Sequence, residues 1–339
     1  MGAASLGTGG NPDDVYFDLL PIEFRESLVP GVMRRTPCRP APRLGAAIGL
    51  PALWIKDETR QPTGSTKDRM AAVVIAVLRE FGVREFVTAS TGNSSSALAR
   101  AARLAGDVRA HLFCGREFAH RHRFTPDEQV TLHIVDGSFV QAATVAQEFA
   151  RSSGLLWEGG FFNWARREGL KLAYVEAVEQ MTVEPAHVFQ AVSSGMGVLG
   201  ARKGLDELMA LGRLRRMPSM HMVQQDTCAP MARGWAARRG ELGDDDVVTD
   251  PTGLAASILR GDGRASYPYL ADIATATGGD ITSVTQSELT TARELLIRTE
   301  NVHGCYASAA TVAAAANLAA AGVIQQDEPV LLNITGANL

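Results

Sequence analysis

The sequence predicts an α/β fold with mostly parallel sheets and two lobes. Short apolar segments that suit strands alternate with longer segments of helical periodicity along almost the whole chain. Three loops rich in glycine, serine and threonine each follow a strand candidate, which is where ligands bind in open α/β sheets. The chain has 339 residues, more than one small domain needs and enough for two lobes.

The predicted elements begin near residue 53 and alternate from there onward. The strands are predicted at residues 53–55, 85–89, 108–114, 130–135, 187–192, 220–224, 280–284 and 330–334. The helices are predicted at residues 67–81, 94–105, 139–152, 169–181 and 197–211. Residues 240–253, rich in aspartate and glycine, are predicted to form a surface loop, and residues 261–269 a second one.

Composition and charge are those of a globular enzyme and give no sign of nucleic-acid or membrane binding. Hydrophobic residues make up 46% of the sequence and charged residues 21%. The 33 basic and 37 acidic residues give a net charge of −4, so we expect neither nucleic acid nor a membrane as a partner. Residues 116–123 form a short basic cluster, which we interpret as a solvated loop rather than a nucleic-acid patch or a metal site.

The cysteines and the N-terminal residues favour a cytoplasmic protein without a metal. The four cysteines are scattered, with neither the spacing of a zinc site nor the density of a disulfide framework. Residues 1–14 are glycine-rich and acidic, lack the apolar core of a secretory signal, and are predicted to form a mobile tail. The longest run of small apolar residues, 309–322, is too short to span a bilayer.

One lysine stands between a tight turn and an apolar helical segment. Residues 62–69 read PTGSTKDR, and Pro62 and Gly64 can hold a bend directly before a helix that contains Lys67. A helix N-terminus and burial both oppose a positive charge, so both would lower the pKa of Lys67. A lysine that forms a Schiff base needs this change. The alternative is an ordinary surface lysine in the first turn of a capped helix.

Residues 193–197 (SSGMG) predict an anion site. They follow a strand candidate and precede a helix, and successive N–H groups at a helix start suit a phosphate. Gly195 and Gly197 allow close approach of the backbone, while Ser193 and Ser194 add hydroxyl donors. The motif lacks the Lys-Ser/Thr ending of an ATP-binding loop and the full dinucleotide fingerprint, and by itself a simple connecting turn explains it as well.

Residues 90–96 predict a second ligand loop. Six of these seven residues are serine, threonine or asparagine, and the seventh is Gly92. Helix capping needs only one such residue, so we favour a loop that holds a carboxylate and uses the Asn93 amide for a polar ring substituent. The third loop, 335–338 (TGAN), follows the last strand candidate.

The loops in this order, with the lysine first, resemble the fold-type II pyridoxal-phosphate enzymes. The threonine synthase branch is the best match, because its PTGSxKDR pattern is similar to residues 62–69. Residues 54–58 (WIKDE), 223–230 and 331–336 (LLNITG) extend the resemblance, and the last of these looks most like the cysteate synthases. The resemblance covers residues 30–339, and PTGSTKDR combined with STGN is its specific part.

The resemblance implies a role for each matching residue. Lys67 would be the Schiff-base lysine, Asn93 would contact the cofactor 3-hydroxyl, and Thr335 would face the pyridine nitrogen. A neutral hydroxyl there suits elimination and replacement better than transamination. The cofactor phosphate would be held by Ser193, Ser194, Gly195, Met196 and Gly197. The substrate would be held by Ser90, Thr91, Gly92, Ser94 and Tyr306.

The resemblance also implies a domain division and a quaternary state. We expect a large cofactor-binding domain of residues 15–83 and 167–339 and a smaller, mobile domain of residues 84–166. We expect a homodimer whose partners are an amino-acid substrate and a nucleophile.

The segment 300–307 (ENVHGCYA) departs from the family pattern. The family often has Glu-Gly followed by an acidic residue and proline, whereas Tyr306 and Ala307 stand here. This change leaves the cofactor assignment intact but leaves the substrate and nucleophile open. His303, Cys305 and Tyr306 are candidate acid/base or substrate groups, with packing at a helix start as the alternative for each.

The predicted function is replacement at the β-carbon of an O-activated amino acid, with Lys67 moving the Cα proton. O-phosphoserine with sulfite, giving cysteate, is the favoured reaction by resemblance. The alternatives are threonine synthesis from O-phosphohomoserine, a serine/threonine dehydratase, and a cofactor-binding or interaction protein without catalysis. Candidate residues for a substrate phosphate are Arg69, Lys171 and Arg202.

Overall fold

The computed structural model describes residues 16–338, which fall into two compact units with one sheet each. The first unit comprises residues 16–35 and 61–172, and the second comprises residues 36–60 and 173–338. The predicted tail, residues 1–14, lies outside the described residues. Within the described part of the chain, no helix is long and apolar enough to cross a membrane.

The strands and helices follow one another in the alternation that the sequence predicts. The strands are β1 (Cys38–Pro40), β2 (Leu53–Asp57), β3 (Glu85–Ala89), β4 (Arg109–Gly115), β5 (Val130–Val135), β6 (Leu156–Trp157), β7 (His187–Ala191), β8 (Ser219–Gln225), β9 (Asp280–Val284) and β10 (Val330–Ile334). The helices are α1 (Pro42–Ile48), α2 (Lys67–Glu80), α3 (Asn93–Ala105), α4 (Phe139–Ser153), α5 (Trp164–Gln180), α6 (Met196–Ala210), α7 (Pro230–Ala236), α8 (Tyr267–Thr277), α9 (Gln286–Glu300) and α10 (Tyr306–Ala320).

The first unit is built on a four-stranded parallel sheet in the order β5-β4-β3-β6. A small core formed by Val87, Phe113, Ala146 and Ala150 joins β3 and β4 to α4. Helices α2 and α3 pack against each other in the same unit. Helix α2 therefore belongs to the same unit as α3, and the domain division expected from the sequence stays a prediction.

The second unit has a six-stranded sheet in the order β1-β2-β10-β7-β8-β9, parallel except for β1. Strands β2, β7 and β10 are buried along their whole length. Helix α10 packs against β7 to β10 and is alanine-rich, with residues 307–315 all buried. Its small side chains bring the helix close to the sheet, and a helix that is apolar all round must be buried.

The predicted strands and helices are confirmed, most of their ends to within two residues, and the mostly parallel α/β fold with them. The sequence analysis missed the short strands β1 and β6 and the helices α1 and α7 to α10. Strand β6 has two residues and β1 contains a proline, so neither gives a periodic signal. Helix α9 does carry a signal, since Thr285 and Glu288 form a capping box.

Candidate active site

Lys67 is the first residue of α2, as the motif predicts, and a clamped turn precedes it. Gly64 has a φ of 77°, a left-handed conformation that favours glycine. The buried carboxylate of Asp68 accepts hydrogen bonds from the Thr63 amide at 2.6 Å and the Thr63 hydroxyl at 2.8 Å. The turn is therefore closed from both sides of Lys67, whose side chain is half-buried.

The STGN loop connects β3 to α3, and Asn93 is the first residue of that helix. The Ser90 hydroxyl accepts hydrogen bonds from the Gly92 amide at 3.1 Å and the Ser95 amide at 3.3 Å. Ser90 thus shapes the loop, and its own O–H proton is the group left to donate. Thr91 and Ser94 are half-buried in the same loop and first turn.

The basic segment of residues 116–123 packs on the STGN loop. A Cβ on Gly92 would lie 3.0 Å from the Arg121 Cβ and 3.1 Å from its carbonyl oxygen. The Arg123 amide donates to the Ser96 hydroxyl at 3.2 Å. His122 is 9% exposed, and burial lowers its pKa to about 4. The interpretation as a solvated loop is therefore wrong for Arg121, which packs against Gly92, and for His122, which is buried.

The SSGMG loop connects β7 to α6 in the second unit. Gly195 has a φ of 87°, and the amides of Val198 and Leu199 both donate to its carbonyl oxygen at 3.0 Å. The first amides of a helix have no acceptor within it, so the start of α6 presents N–H groups to a ligand. Ser193 and Ser194 are half-buried beside them.

Strand register brings Thr335 level with the SSGMG loop. Leu332 pairs with Phe189 across the parallel strands β10 and β7, so Thr335 continues the ladder opposite Val192. Both loops thus leave the sheet at the same carboxyl edge, in the same unit. The Thr335 side chain is half-buried.

A buried polar network lies behind these loops. The Asn333 side-chain Nδ2 donates to the Tyr174 hydroxyl at 3.0 Å and to the Gln190 side-chain Oε1 at 2.9 Å. A Cβ on Gly197 would lie 3.2 Å from the side-chain Nε2 of Gln190, so the Gln190 side chain packs directly against the glycine turn. Desolvation raises the pKa of Tyr174 far above its ordinary value, so this hydroxyl stays protonated.

Residues 300–307, the segment that differs from the family pattern, lie next to the residues after Thr335 and are joined to them by hydrogen bonds. The Cys305 amide donates to the Gly336 carbonyl at 2.9 Å, and the Ser308 hydroxyl bonds to both the amide and the carbonyl of Gly336. Tyr306 begins α10, lies under the Arg293 guanidinium at 5.1 Å, and packs on the core. These contacts agree with packing at a helix start, and a substrate role for Tyr306 stays a prediction. Ser308 was not predicted from the sequence, where it is the one polar residue of segment 307–310.

The structure separates the three candidates for a substrate phosphate. Arg69 is fully buried in α2, and Lys171 is buried with its ammonium 2.6 Å from the Glu168 carboxylate. Arg202 lies on the surface of α6, paired with Asp206 at 2.8 Å. Arg166, which the sequence analysis did not consider, is buried in an ion pair with Glu158 and bonds to the Thr88 hydroxyl at 3.1 Å.

Comparison with known proteins identifies the class of enzyme. Residues 29–336 match the family model described as pyridoxal-phosphate dependent enzyme. The chain therefore belongs to this family, and its cofactor is pyridoxal phosphate. Its fold matches the processed form of threonine deaminase isoform 2 from Solanum lycopersicum with a TM-score of 0.74 at 18% identity, covering 91% of this chain and 85% of that one.

Within this family the chain is a fold-type II synthase/lyase of the cysteate synthase and threonine synthase kind. It is 30% identical over 307 residues to the cysteate synthase of Methanoregula boonei, covering 86% of this chain and 72% of that one. It is 27% identical over 326 residues to the threonine synthase of Methanocaldococcus jannaschii, covering 96% and 79%.

Each unit, taken by itself, contains groups that suit pyridoxal phosphate. The second unit offers amides at the start of α6, and a Cβ on Gly195 would intrude there at 2.7 Å from a Leu270 methyl. The first unit contains Lys67 at the start of α2 and the polar first turn of α3. In that turn the buried Ser95 hydroxyl has no hydrogen-bond partner. An amine, an amide and an anion cradle are the groups that this cofactor needs.

Proposed function

We propose that the chain catalyses replacement at the β-carbon of an O-activated amino acid, with O-phosphoserine and sulfite giving cysteate and phosphate. Sulfite forms the new C–S bond to Cβ with its electron pair, and the Cβ–O bond breaks with loss of phosphate. The similarity to proteins named cysteate synthase, at about 30% identity over most of both chains, carries this proposal.

We assign the proton transfer to Lys67. Bound pyridoxal phosphate supplies an electron sink that stabilises negative charge at the substrate Cα. The Lys67 amine, released when the substrate amine takes its place, removes the Cα proton and later returns it. The clamp between Thr63 and Asp68 keeps the Lys67 backbone fixed during both transfers.

The loops supply binding and orientation. Thr91 and Gly92 hold the substrate carboxylate, with the Ser90 and Ser94 hydroxyls beside them, and the Asn93 amide contacts the cofactor ring oxygen. The N–H groups of residues 193–197 hold the cofactor phosphate through the partial positive charge of a helix start. Thr335 would offer a neutral hydroxyl to the ring nitrogen, and a neutral partner there would favour elimination and replacement over transamination. Closure of a smaller mobile domain would exclude water from the reacting carbons.

Threonine synthesis from O-phosphohomoserine is the second candidate, supported by the similarity to the Methanocaldococcus jannaschii protein. It would need a further deprotonation at Cβ. A serine/threonine dehydratase would need no nucleophile. A protein that binds the cofactor without catalysis would bind it at Lys67 and turn over no substrate. We place the active enzyme in the cytoplasm as a homodimer.

A matrix of substrates and nucleophiles distinguishes these functions. The purified holoenzyme is incubated with O-phosphoserine, O-acetylserine or O-phosphohomoserine, each with sulfite, sulfide or no nucleophile. Mass spectrometry identifies the products, and Lys67→Ala is the control. Cysteate from O-phosphoserine and sulfite alone supports the proposal. Threonine from O-phosphohomoserine, or a keto acid and ammonia without nucleophile, assigns one of the alternatives, and no turnover favours the binding protein.

A further inference from the structure

Arg123 joins the Lys67 turn to the first residue of α3. Its terminal nitrogen Nη2 donates to the Thr63 carbonyl oxygen at 3.1 Å and to the Asn93 Oδ1 at 3.3 Å. All of these residues belong to the first unit. This one nitrogen therefore contacts the turn before Lys67 and the start of α3. These are the two segments of the first unit to which we assign cofactor contacts.

This contact fixes which way the Asn93 amide points. A guanidinium has donors and no acceptor, so the group that faces Arg123 must be the amide oxygen. The reverse orientation would place the two amide N–H donors against the guanidinium donors. The Asn93 Nδ2 is therefore held on the side away from Arg123, where it can donate to a ligand.

The backbone around Arg123 is anchored to the same helix turn. Its amide bonds to the Ser96 hydroxyl at 3.2 Å, and Arg121 lies against Gly92 so closely that a Cβ there would meet it at 3.0 Å. Gly92 has a φ of 140°, which residues with a Cβ rarely adopt. The segment and the STGN loop thus depend on each other for their positions.

We propose that Arg123 is a positioning residue that presets the Asn93 amide as a hydrogen-bond donor to the ring oxygen of pyridoxal phosphate. The proposal rests on the contact assigned to Asn93 under the proposed function. A hydrogen bond donated to that oxygen stabilises its negative charge. Such a donor would favour the form of the bound cofactor in which the ring oxygen carries no proton. This form absorbs in the violet rather than the near ultraviolet.

The test compares Arg123→Met with Arg116→Met, which removes the same charge from the same segment at an exposed ion pair with Asp136. The two measurements are the ratio of the violet band to the near-ultraviolet band of the bound cofactor and the Kd of the apoprotein for pyridoxal phosphate. We expect Arg123→Met to lower the ratio of the violet to the near-ultraviolet band and to raise the Kd, each about fivefold. This is the effect of losing one typical hydrogen bond. Arg116→Met should change neither, and an equal change there would overturn the proposal.

Two further variants separate position from charge. Arg123→Lys keeps the charge but not the planar guanidinium, so its band ratio and Kd should match those of Arg123→Met. A band ratio and Kd equal to those of the wild type would show that Arg123 acts through its charge alone. In an Asn93→Ala background, Arg123→Met should add nothing. Additive effects would show that Arg123 does not act through Asn93.

The same variants show whether the assigned contact of Asn93 or only the role of Arg123 is wrong. If Asn93→Ala alone leaves the band ratio and the Kd unchanged, the assigned contact of Asn93 is wrong and the role of Arg123 falls with it. If Asn93→Ala shifts both but Arg123→Met shifts neither, only the role of Arg123 is wrong. Arg123 is exposed, so its variants should fold, and equal melting temperatures check this.

Discussion

We expect Gly195→Ala to destabilise the SSGMG loop by an amount that can be worked out from the local geometry. Gly195 has a φ of 87°, and a left-handed conformation costs a residue with a Cβ roughly 1–2 kcal/mol. The added Cβ would also lie 2.7 Å from one Leu270 methyl and 3.3 Å from the other. Overpacking of a core typically costs a further ~1–3 kcal/mol, so the sum is about 2–5 kcal/mol.

Gly212→Ala is the matched control. Gly212 has a φ of 67°, and a Cβ there would meet nothing within 4 Å. This variant should therefore show only the backbone cost of roughly 1–2 kcal/mol. The assay is chemical denaturation of the apoproteins, which measures the shift of the midpoint at constant slope. The difference between the two variants isolates the contact with Leu270.

The cofactor gives a second measurement on the same variants. Because the amides at the start of α6 follow Gly195 directly, Gly195→Ala should weaken binding of pyridoxal phosphate roughly tenfold or more, whereas Gly212→Ala should leave the Kd unchanged. Combining Gly195→Ala with Leu270→Ala should destabilise less than the sum of the two. Equal midpoints and equal Kd values for the two glycine variants would refute the role of Gly195 in holding the phosphate.

Three other predictions concern catalysis, pH and specificity. Lys67→Ala should lower turnover roughly 10³-fold or more and remove the violet absorption while the protein stays folded, and near-normal turnover would exclude this lysine. His221 is buried against His187, and its pKa is lowered from 6.5 to about 4 by desolvation, so stability should be full above pH 6.5 and fall by up to about 3 kcal/mol as the pH drops towards 4. Urea denaturation across this range checks it, and His221→Gln should remove the His221 contribution while that of His122, whose pKa burial also lowers to about 4, remains. Tyr306→Phe should change the preferred nucleophile more than the rate of phosphate release without a nucleophile; if only release slows, Tyr306 acts in elimination, and no change leaves it a packing residue.

The sequence predicted those parts of the fold whose cause is local. Strands β7 and β10 are buried five-residue segments that are mostly apolar, and the loops after them carry their own glycine and hydroxyl signals. The position of Lys67 at the start of α2 follows from the turn chemistry of residues 62–66 alone. These features need no information about distant residues, so a single sequence suffices for them.

The remaining features depend on contacts between distant residues. The basic segment reads as solvated because its charge is visible in the sequence, whereas its contact with Gly92 is not. Ser90 has the right residue type for a ligand, but only the structure shows its hydroxyl accepting two amides of its own loop. The capping box before α9 was a local signal that the sequence analysis left unused.

The alanine-rich face of α10 limits how this enzyme can be diversified. A helix separated from its sheet by methyl groups has no room for longer side chains, so random substitution across residues 307–315 should yield mostly inactive clones. Thr91, Ser94 and Tyr306 are half-buried, so a change in the size of these side chains should be tolerated more readily. A directed-evolution library for a new nucleophile should therefore keep codons 307–315 constant and randomise Thr91, Ser94 and Tyr306.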